Sequence, residues 1–204
     1  RSSAASDVYK RQLFAYAKMN VNTPVIQETN KKPLHEIREG ISEARKNPII
    51  FGNLLAAGIV SSLILNMGTY GPLFADRVLH KGLDGFGSIL FAAGAGSMAS
   101  GILSATSSTH YSQRFIFTAA GLCGLLLMAV SYIFWTIPAL LMFALLGFAT
   151  ILFMVNCNTA IQMASPPEYL GRIMGLYTFV FLGSAPFGSL LVSAIIEYMG
   201  TSLG

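Results

Sequence analysis

The chain has 204 residues, of which 53% are hydrophobic and only 11% are charged, and its mean hydropathy is +0.60. Soluble domains carry roughly 25% charged residues, so this composition excludes an ordinary water-soluble fold. The formal net charge of +4 fits contact with anionic lipid and gives no reason to expect a nucleic-acid partner.

The first twelve residues, RSSAASDVYKRQ, show no apolar periodicity and do not continue into the segment that follows. They look like translated read-through of an adaptor or vector, so we expect residues 1–12 to be disordered and exclude them from the fold. Residues 13–33 begin apolar and become polar, which predicts the end of a lost helix followed by a linker. On this interpretation the natural protein begins upstream of Leu13 and is truncated here.

The segment PLHEIREGISEARKNP predicts an amphipathic helix over residues 34–47. Its apolar residues recur at spacings of three and four, which places them on one helix face, and charged residues occupy the other faces. We expect this helix to lie on the cytoplasmic membrane surface or against the ends of membrane helices. The apolar positions are Leu34, Ile37, Ile41 and Ala44.

Four long stretches contain no charged residue: 49–75, 85–113, 115–167 and 173–196. A membrane helix needs about 20 apolar residues. The stretches 49–75, 85–113 and 173–196 therefore fit one span each, and the stretch 115–167 is long enough for two. Trp135 suits a membrane interface and Pro138 suits a first helical turn, so we place the turn there. The predicted spans are 49–74, 85–105, 115–134, 137–163 and 173–197.

Basic residues predict the orientation of these spans. With a cytoplasmic N-terminus, the segments on the cytoplasmic side hold eleven Lys and Arg, against two, Arg77 and Lys81, on the other side. Excluding the three basic residues of the first twelve positions still leaves eight against two. The positive-inside rule therefore favours a cytoplasmic N-terminus.

Polar residues form a stripe in the first predicted span. Ser62, Asn66 and Tyr70 lie at positions i, i+4 and i+8, and therefore share one face of a continuous helix. An amide in hydrocarbon needs a hydrogen-bonding partner. The stripe therefore faces either a neighbouring helix or a water-filled cavity.

The last two spans carry four further polar candidates for lining such a cavity. Asn158 and Gln162 share a face of the fourth span, although Gln162 is also placed to cap the turn before Pro166. In the fifth span, Tyr177 and Ser184 are seven residues apart and share a face. An aromatic ring beside a hydroxyl group suits contact with an amphipathic substrate.

Glycine and proline interrupt the fifth span at Gly183, Pro186 and Gly188. An interior proline removes a helix hydrogen bond, and in a membrane bundle neighbouring helices, hydroxyl groups or water can satisfy the freed groups. We expect a bent, closely packed helix, the kind that transporters place around a substrate path.

The second span carries small residues at four-residue spacing, which predicts close helix packing. They form two rows: Ala92, Gly96, Ser100 and Ser104, and Ala93, Ser97 and Gly101.

The segment PPEYLGR predicts a tight cytoplasmic turn between the fourth and fifth spans. It contains Glu168, Gly171 and Arg172, and Arg172 suits an anchor at the headgroups. Glu168 and Arg172 are four residues apart. They predict either a modest interfacial ion pair or a latch to another part of a larger protein.

Cysteine and charge patterns argue against catalytic and metal chemistry. Cys123 and Cys157 lie in mid-span, without paired spacing or companion histidines, so we interpret them as small apolar residues. A membrane-embedded enzyme would need clustered acidic, histidine or nucleophilic residues, and the sequence shows no such cluster. We therefore expect no enzyme activity, no metal and no cofactor.

Three segments together resemble a known family of transporters. NTAIQMAS followed by PPEYLGRIMGLYTFVFLGSAPFGSLLVSAIIEYMG resembles the tenth-to-eleventh helix region of the major facilitator superfamily, in the branch of macrolide-efflux and enterobactin-exporter-like proteins. EIREGISEARKNPII resembles the central cytoplasmic helix of that branch, and ADRVLHKGLDGFGSILFAAGAGSMASG its connection between helices seven and eight. The resemblance covers roughly residues 34–204.

The resemblance implies an all-α membrane protein in which the C-terminal transmembrane half, residues 48–204, supplies helices seven to eleven of a twelve-helix fold. It implies a secondary active transporter in the bacterial inner membrane that exports a small amphipathic molecule by alternating access. Apart from Glu197 at the end of the fifth span, the predicted spans contain no ionisable Asp, Glu, Lys, Arg or His. A coupling H⁺ would therefore bind in the missing half. The alternative is a non-transporting membrane scaffold or receptor-like protein.

Overall fold

The computed structural model describes Phe14 and residues 33–64, 66–106 and 112–200. The predictions for residues 1–12, and for 13–33 apart from Phe14 and Pro33, lie outside the described residues. Among the described residues from 33 onward the structure contains seven helices and no strand. They are α1 (Pro33–Lys46), α2 (Pro48–Ile64), α3 (Met67–Arg77), α4 (Gly82–Thr106), α5 (Gln113–Val130), α6 (Thr136–Ala164) and α7 (Leu170–Gly200).

Five helical segments are long and apolar enough to cross a membrane, which confirms the predicted all-α class with five spans. Each has a mean hydropathy between 1.4 and 2.4 over its most apolar stretch. Helices satisfy their own backbone hydrogen bonds, which a segment in hydrocarbon requires. The segments are Pro48–Arg77, Gly82–Thr106, Gln113–Val130, Thr136–Ala164 and Leu170–Leu190.

The first span differs from the sequence prediction because it consists of two helices, α2 and α3, and not of one continuous helix over 49–74. Asn66 lies between them, with φ −88° and ψ 12°. Its side-chain amide donates to the Ser62 carbonyl at 2.6 Å, the acceptor that the Asn66 backbone N–H would use in an unbroken helix. Asn53 and Asn156 make the same kind of side-chain bond within unbroken helices, so this bond accompanies the break and does not by itself explain it.

α6 lies at the centre of the bundle, where it packs against α2, α4, α5 and α7. Two buried clusters fill the interior, one at the end of the bundle where α1 lies and one at the opposite end. We call these ends the α1 end and the Asp84 end. Phe153 belongs to the first cluster and Phe143 to the second, and the Phe143 ring meets Phe74 of α3 edge-on at 5.6 Å.

α4 and α6 cross at small residues. A methyl group on Gly96 would overlap the Ala144 carbonyl, and one on Gly147 would overlap the Ala93 carbonyl. The Ser97 hydroxyl donates to the Gly147 carbonyl at 3.2 Å. The small residues predicted for the second span therefore lie where two helix backbones touch, as is common between helices in lipid.

Candidate functional site

Polar side chains join α2 to α7 near the middle of the bundle. The hydroxyl oxygens of Ser61 and Ser184 are 2.5 Å apart, and Ser61 is buried. Asn66 is also buried, and its amide donates to the Ala185 carbonyl at 3.2 Å as well as to Ser62. We call Ser61, Asn66, Ser184 and Gly188 the α2–α7 polar cluster. Its hydrogen bonds connect two membrane helices directly.

Gly188 allows this approach, because a methyl group there would overlap the Ser62 carbonyl and crowd the Asn66 amide. Gly183 and Gly171, in contrast, have open space where a methyl group would lie. Pro186 stands inside α7, which the structure shows as one helix from Leu170 to Gly200. Among Gly171, Gly183 and Gly188, only Gly188 therefore lies where two helices, α2 and α7, cross closely.

The stripe predicted on the first span is divided by the structure. The Ser62 hydroxyl donates to the Ile59 carbonyl of its own helix at 2.8 Å, and the neighbouring Ser61 faces α7. Tyr70 lies on α3, and its hydroxyl is buried without a hydrogen-bond partner among the described residues. The Tyr70 ring packs against the buried cluster at the Asp84 end. Ser62, Asn66 and Tyr70 therefore have three different environments.

A second group of polar side chains lies between α6 and α7, toward the α1 end. The Gln162 amide donates to the Asn158 side-chain oxygen, and the Tyr177 side chain interacts with Asn158. Tyr177 is only 7% exposed, and its ring stacks on Phe181 at 6.0 Å. We call Asn158, Gln162 and Tyr177 the α6–α7 polar cluster. Three of the predicted cavity residues are thus neighbours.

The turn after α6 does not use the Gln162 side chain as its cap. The Ser165 hydroxyl donates to the Ile161 carbonyl at 2.6 Å, and the Ser165 backbone N–H donates to the Gln162 carbonyl at 3.3 Å. The Gln162 amide is directed to Asn158 instead. This leaves the Asn158–Gln162 pair partly exposed on the side of α6.

α1 is attached to the start of α7 by an ion pair. The Arg172 guanidinium lies 2.7 Å from the Glu39 carboxylate, with about a quarter of each side chain exposed. Arg172 also lies over the Tyr169 ring, 5.7 Å from its centroid. The next residue of α1, Gly40, is buried, and a methyl group there would touch the Arg172 side chain at 3.4 Å. The four-residue spacing predicted Glu168 as the ion-pair partner of Arg172, whereas the structure shows Glu39 in that position.

Two further contacts fix the junction between α1 and α2. The Asn47 amide donates to the Ala164 carbonyl at the end of α6, at 3.3 Å, and the Asn47 side-chain oxygen accepts from the Ile49 N–H at 3.0 Å.

A second ion pair lies within α1. Lys46 pairs with Glu43 of the same helix at 2.7 Å, and this hydrogen bond raises the pKa of the Lys46 ammonium above its ordinary value. About two-thirds of the Lys46 side chain is exposed, so the pair is a surface feature of α1.

Four contributors, Ser61, Glu39, Gly40 and Asn47, were missed from the sequence, and two of them carried a signal. Ser61 is one of two adjacent serines, and the i, i+4 pattern with Asn66 favoured Ser62. Asn47 stands directly before Pro48, where an asparagine commonly caps a helix start. Glu39 carries no comparable signal, because its partner lies 133 positions away.

The arrangement offers hydroxyl and amide groups within long uncharged stretches of the helices. Such groups bind polar parts of a molecule through hydrogen bonds, and apolar neighbours bind the rest. The stretches 49–75, 85–113, 115–167 and 173–196 contain no Asp, Glu, Lys or Arg. The polar clusters are therefore suited to binding and helix packing, and proton transfer would need other residues.

The comparisons with known proteins agree with a membrane transporter. The family model of the Major Facilitator Superfamily matches residues 13–189, which is most of the chain. No curated protein and no solved structure matches the chain.

Proposed function

The chain belongs to the Major Facilitator Superfamily, a family of membrane transporters, and we propose that it supplies helices seven to eleven of an ion-coupled exporter. In this proposal α1 is the central helix between the two halves, and residues 48–204 form the C-terminal half. The transporter belongs to the macrolide-efflux and enterobactin-exporter-like branch. Its substrate is a small amphipathic molecule, moved by alternating access of a central cavity.

The observation that carries this proposal is the partly exposed amide pair of Asn158 and Gln162 on α6. Asn158 lies six residues before the end of α6, which is about 9 Å along the helix axis. The pair satisfies one donor and one acceptor between its two members, and each remaining amide group costs several kcal/mol at that depth if it faces hydrocarbon without a partner. We infer that the pair faces a water-filled cavity, with Tyr177 beside it.

The α2–α7 polar cluster has a different role in this proposal. Asn66 and Ser184 use their hydrogen bonds to join two helices of the same unit. We assign them to packing of the cavity wall, together with the close approach at Gly188. Ser62 and Tyr70 remain candidates for contact with the substrate, because the Tyr70 hydroxyl has no partner among the described residues.

Orientation and coupling complete the proposal. Of the seven Lys and Arg that the structure describes, five lie at the α1 end, and the proposal assigns this end to the cytoplasmic side of a bacterial inner membrane. The coupling ion is H⁺, bound by a carboxylate in the other half, because the helices described here lack an ionisable group at depth. Arg172 and Glu168 lie at the cytoplasmic turn, where a latch to the other half would act.

The experiment that tests this function is flux through the complete reading frame that contains this chain. The protein is reconstituted in proteoliposomes, and ethidium serves as the amphipathic probe under an imposed pH gradient. We expect flux that an uncoupler abolishes, and no flux from the 204-residue chain alone. Absence of gradient-driven flux across a panel of amphipathic dyes, or strong flux by the chain alone, would contradict the proposal. The first result would favour the scaffold or receptor alternative.

A further inference from the structure

A groove of about 350 Å³ lies between α1, α2 and α7 at the α1 end of the bundle. This volume is within the range of about 300–1,000 Å³ that is usual for small-molecule sites. α1 forms the wall at the mouth, and the lining on α2 runs from Phe51 to Ile59, which is about 12 Å along the helix axis. Toward the inner end, a methyl group on Gly58 would meet the Val180 side chain at 3.1 Å. α2 and α7 therefore come together there and form the floor of the groove.

The groove is apolar along its length and basic at its mouth. Arg45 is the charged residue of the described lining, and Ile41 and Ala44 of α1 adjoin it. The Arg45 side chain is exposed, and its guanidinium makes no hydrogen bond or ion pair with any residue that the structure describes. The uncharged stretch 49–75 begins four residues later. Arg45 therefore lies at the level where a membrane helix meets the lipid headgroups.

A second arginine adds to the positive charge beside the mouth. Arg38 lies seven residues before Arg45, or two helix turns, so both arginines share one face of α1, and both are exposed. The neighbouring carboxylates of Glu39 and Glu43 are ion-paired, and neither residue lines the groove. Within the described part of α1, the groove thus meets positive charge without an opposing carboxylate in its lining.

The wall that carries Arg45 is fixed to the bundle. The preceding residue, Ala44, is 1% exposed and belongs to the same buried cluster as Leu54 of α2 and Ile173 of α7. The Glu39–Arg172 ion pair holds α1 to α7 at a second point. The guanidinium and the apolar lining therefore keep a defined position relative to each other.

We propose that this groove binds one anionic phospholipid, with an acyl chain between α2 and α7 and the phosphate beside Arg45. The hydrocarbon core of a bilayer is about 30 Å thick, so one leaflet is about 15 Å deep, and the length of the groove suits a chain of the leaflet at the α1 end. A guanidinium can bind two oxygens of one phosphate. Basic sites beside membrane helices are typical places for anionic headgroups. The inference requires the membrane location of the chain and is independent of transport.

The test measures the Kd of the first lipid bound to the 204-residue chain, by native mass spectrometry from a non-ionic detergent. Dioleoyl phosphatidylglycerol is the anionic probe, and dioleoyl phosphatidylcholine has the same chains and no net charge. Arg45→Gln removes the charge at the mouth and Arg45→Lys retains it. The matched control is Arg114→Gln, which removes an exposed arginine of α5 outside the lining. Thermal unfolding of each variant reports whether it is folded.

The apolar part of the site has its own pair of variants. Leu55→Trp places a larger side chain midway along the groove, and Leu103→Trp makes the same change at an exposed leucine of α4 outside it. We expect Leu55→Trp to weaken binding of both lipids, because the indole ring takes up the space of the acyl chain. Leu103→Trp should bind like the unmodified chain.

We expect the unmodified chain to bind phosphatidylglycerol more tightly than phosphatidylcholine. Arg45→Gln should raise the Kd for phosphatidylglycerol about fivefold, the usual contribution of one basic residue near an anionic headgroup, and should leave the Kd for phosphatidylcholine unchanged. Arg45→Lys and Arg114→Gln should both bind phosphatidylglycerol like the unmodified chain.

Three results would overturn the inference: equal affinity for the two lipids, equal effects of Arg45→Gln and Arg114→Gln, or equal effects of the two tryptophan variants. Equal effects of the two arginine variants would show attraction by general surface charge. Binding by this chain that is lost in the complete reading frame would also overturn it, because the rest of the protein would then cover the groove. Each of these results is separate from the flux assay, so the site and the proposed function can fail independently.

Discussion

The guanidinium of Arg172 on α7 lies 2.7 Å from the carboxylate of Glu39 on α1, 133 positions earlier in the chain. The contact attaches an amphipathic helix to the cytoplasmic turn that we propose for the transporter. Gly40 lies against the same arginine, and Ala44, one turn further along, is 1% exposed. α1 is thus part of the packed bundle at this end.

We predict that Arg172→Ala loosens α1 from the bundle. The pair is partly exposed, so its loss should cost about 1 kcal/mol or less. Hydrogen exchange of the α1 backbone amides should become faster, while the amides of α2 and α6 should stay protected. Restoring the pair in the reversed sense, with Glu39→Arg and Arg172→Glu together, should recover part of the protection.

The matched control for this pair is Lys46→Ala. Lys46 pairs with Glu43 of its own helix and touches no other element through that bond, so α1 exchange should change little. Unchanged exchange in Arg172→Ala would contradict the anchoring role. In the complete reading frame, unchanged transport together with unchanged accessibility of both faces in Arg172→Ala would exclude the latch to the other half.

Gly96→Ala should destabilise the crossing of α4 and α6. The added methyl group overlaps the Ala144 carbonyl, which is backbone and cannot move aside cheaply. Overpacking of this kind costs about 1–3 kcal/mol. Thermal unfolding in detergent should show a lower Tm, whereas Gly94→Ala, which meets nothing within 4 Å, should leave the Tm unchanged or slightly higher. A similar Tm for both variants would disprove the close crossing.

Asn66→Ala should weaken the contact between α2 and α7. It removes the bond to the Ala185 carbonyl and also the local bond to Ser62. Hydrogen bonds between membrane helices contribute about 0.6 kcal/mol on average and reach about 1.7 kcal/mol. Asn156→Ala is the control, because the Asn156 amide bonds only the Leu152 carbonyl of its own helix among the described residues. Unfolding in detergent should separate the two variants, and equal stability would argue against the interhelical bond.

Asn158→Ala should lower transport by the complete reading frame about three- to tenfold. The expectation follows from the proposed role of Asn158, in which the variant loses one substrate hydrogen bond of about 0.5–1.5 kcal/mol. Thr159→Ala is the control, because the Thr159 hydroxyl bonds the Val155 carbonyl within α6. Flux under a pH gradient is the readout, with protein amount in the vesicles held equal. Flux that is insensitive to Asn158→Ala would remove this residue from the substrate path.

The long stretches without charged residues predicted the spans well, because a helix surrounded by hydrocarbon excludes charged side chains along its whole length. The predicted span 137–163 and the helix Thr136–Ala164 differ by one residue at each end. Pro138 and Trp135 marked the turn before this helix correctly. The break at Asn66 was not predicted, because the hydropathy of the segment stays high across it.

The candidate site was predicted less completely, because it depends on how each helix is rotated. A four-residue period places Ser62 with Asn66, yet Ser61 is the serine that meets Ser184. A rotation of about 100° separates adjacent residues on a helix, and packing decides between them. Asn158 and Gln162 were predicted on one face, and their side chains are in contact. Tyr177 was predicted beside Ser184, whereas in the structure Tyr177 lies beside Asn158 and Ser184 meets Ser61.

The measurement that tests the central claim most directly is the sequence of the source locus on both sides of this chain. Our account predicts six further membrane spans upstream of Leu13, with at least one intramembrane Asp or Glu, and one more span downstream of Gly204. That carboxylate would then be the first target for mutagenesis in the flux assay. A reading frame that starts and stops near the present ends would contradict the account. A genuine five-span protein would then call for a role in assembly or scaffolding.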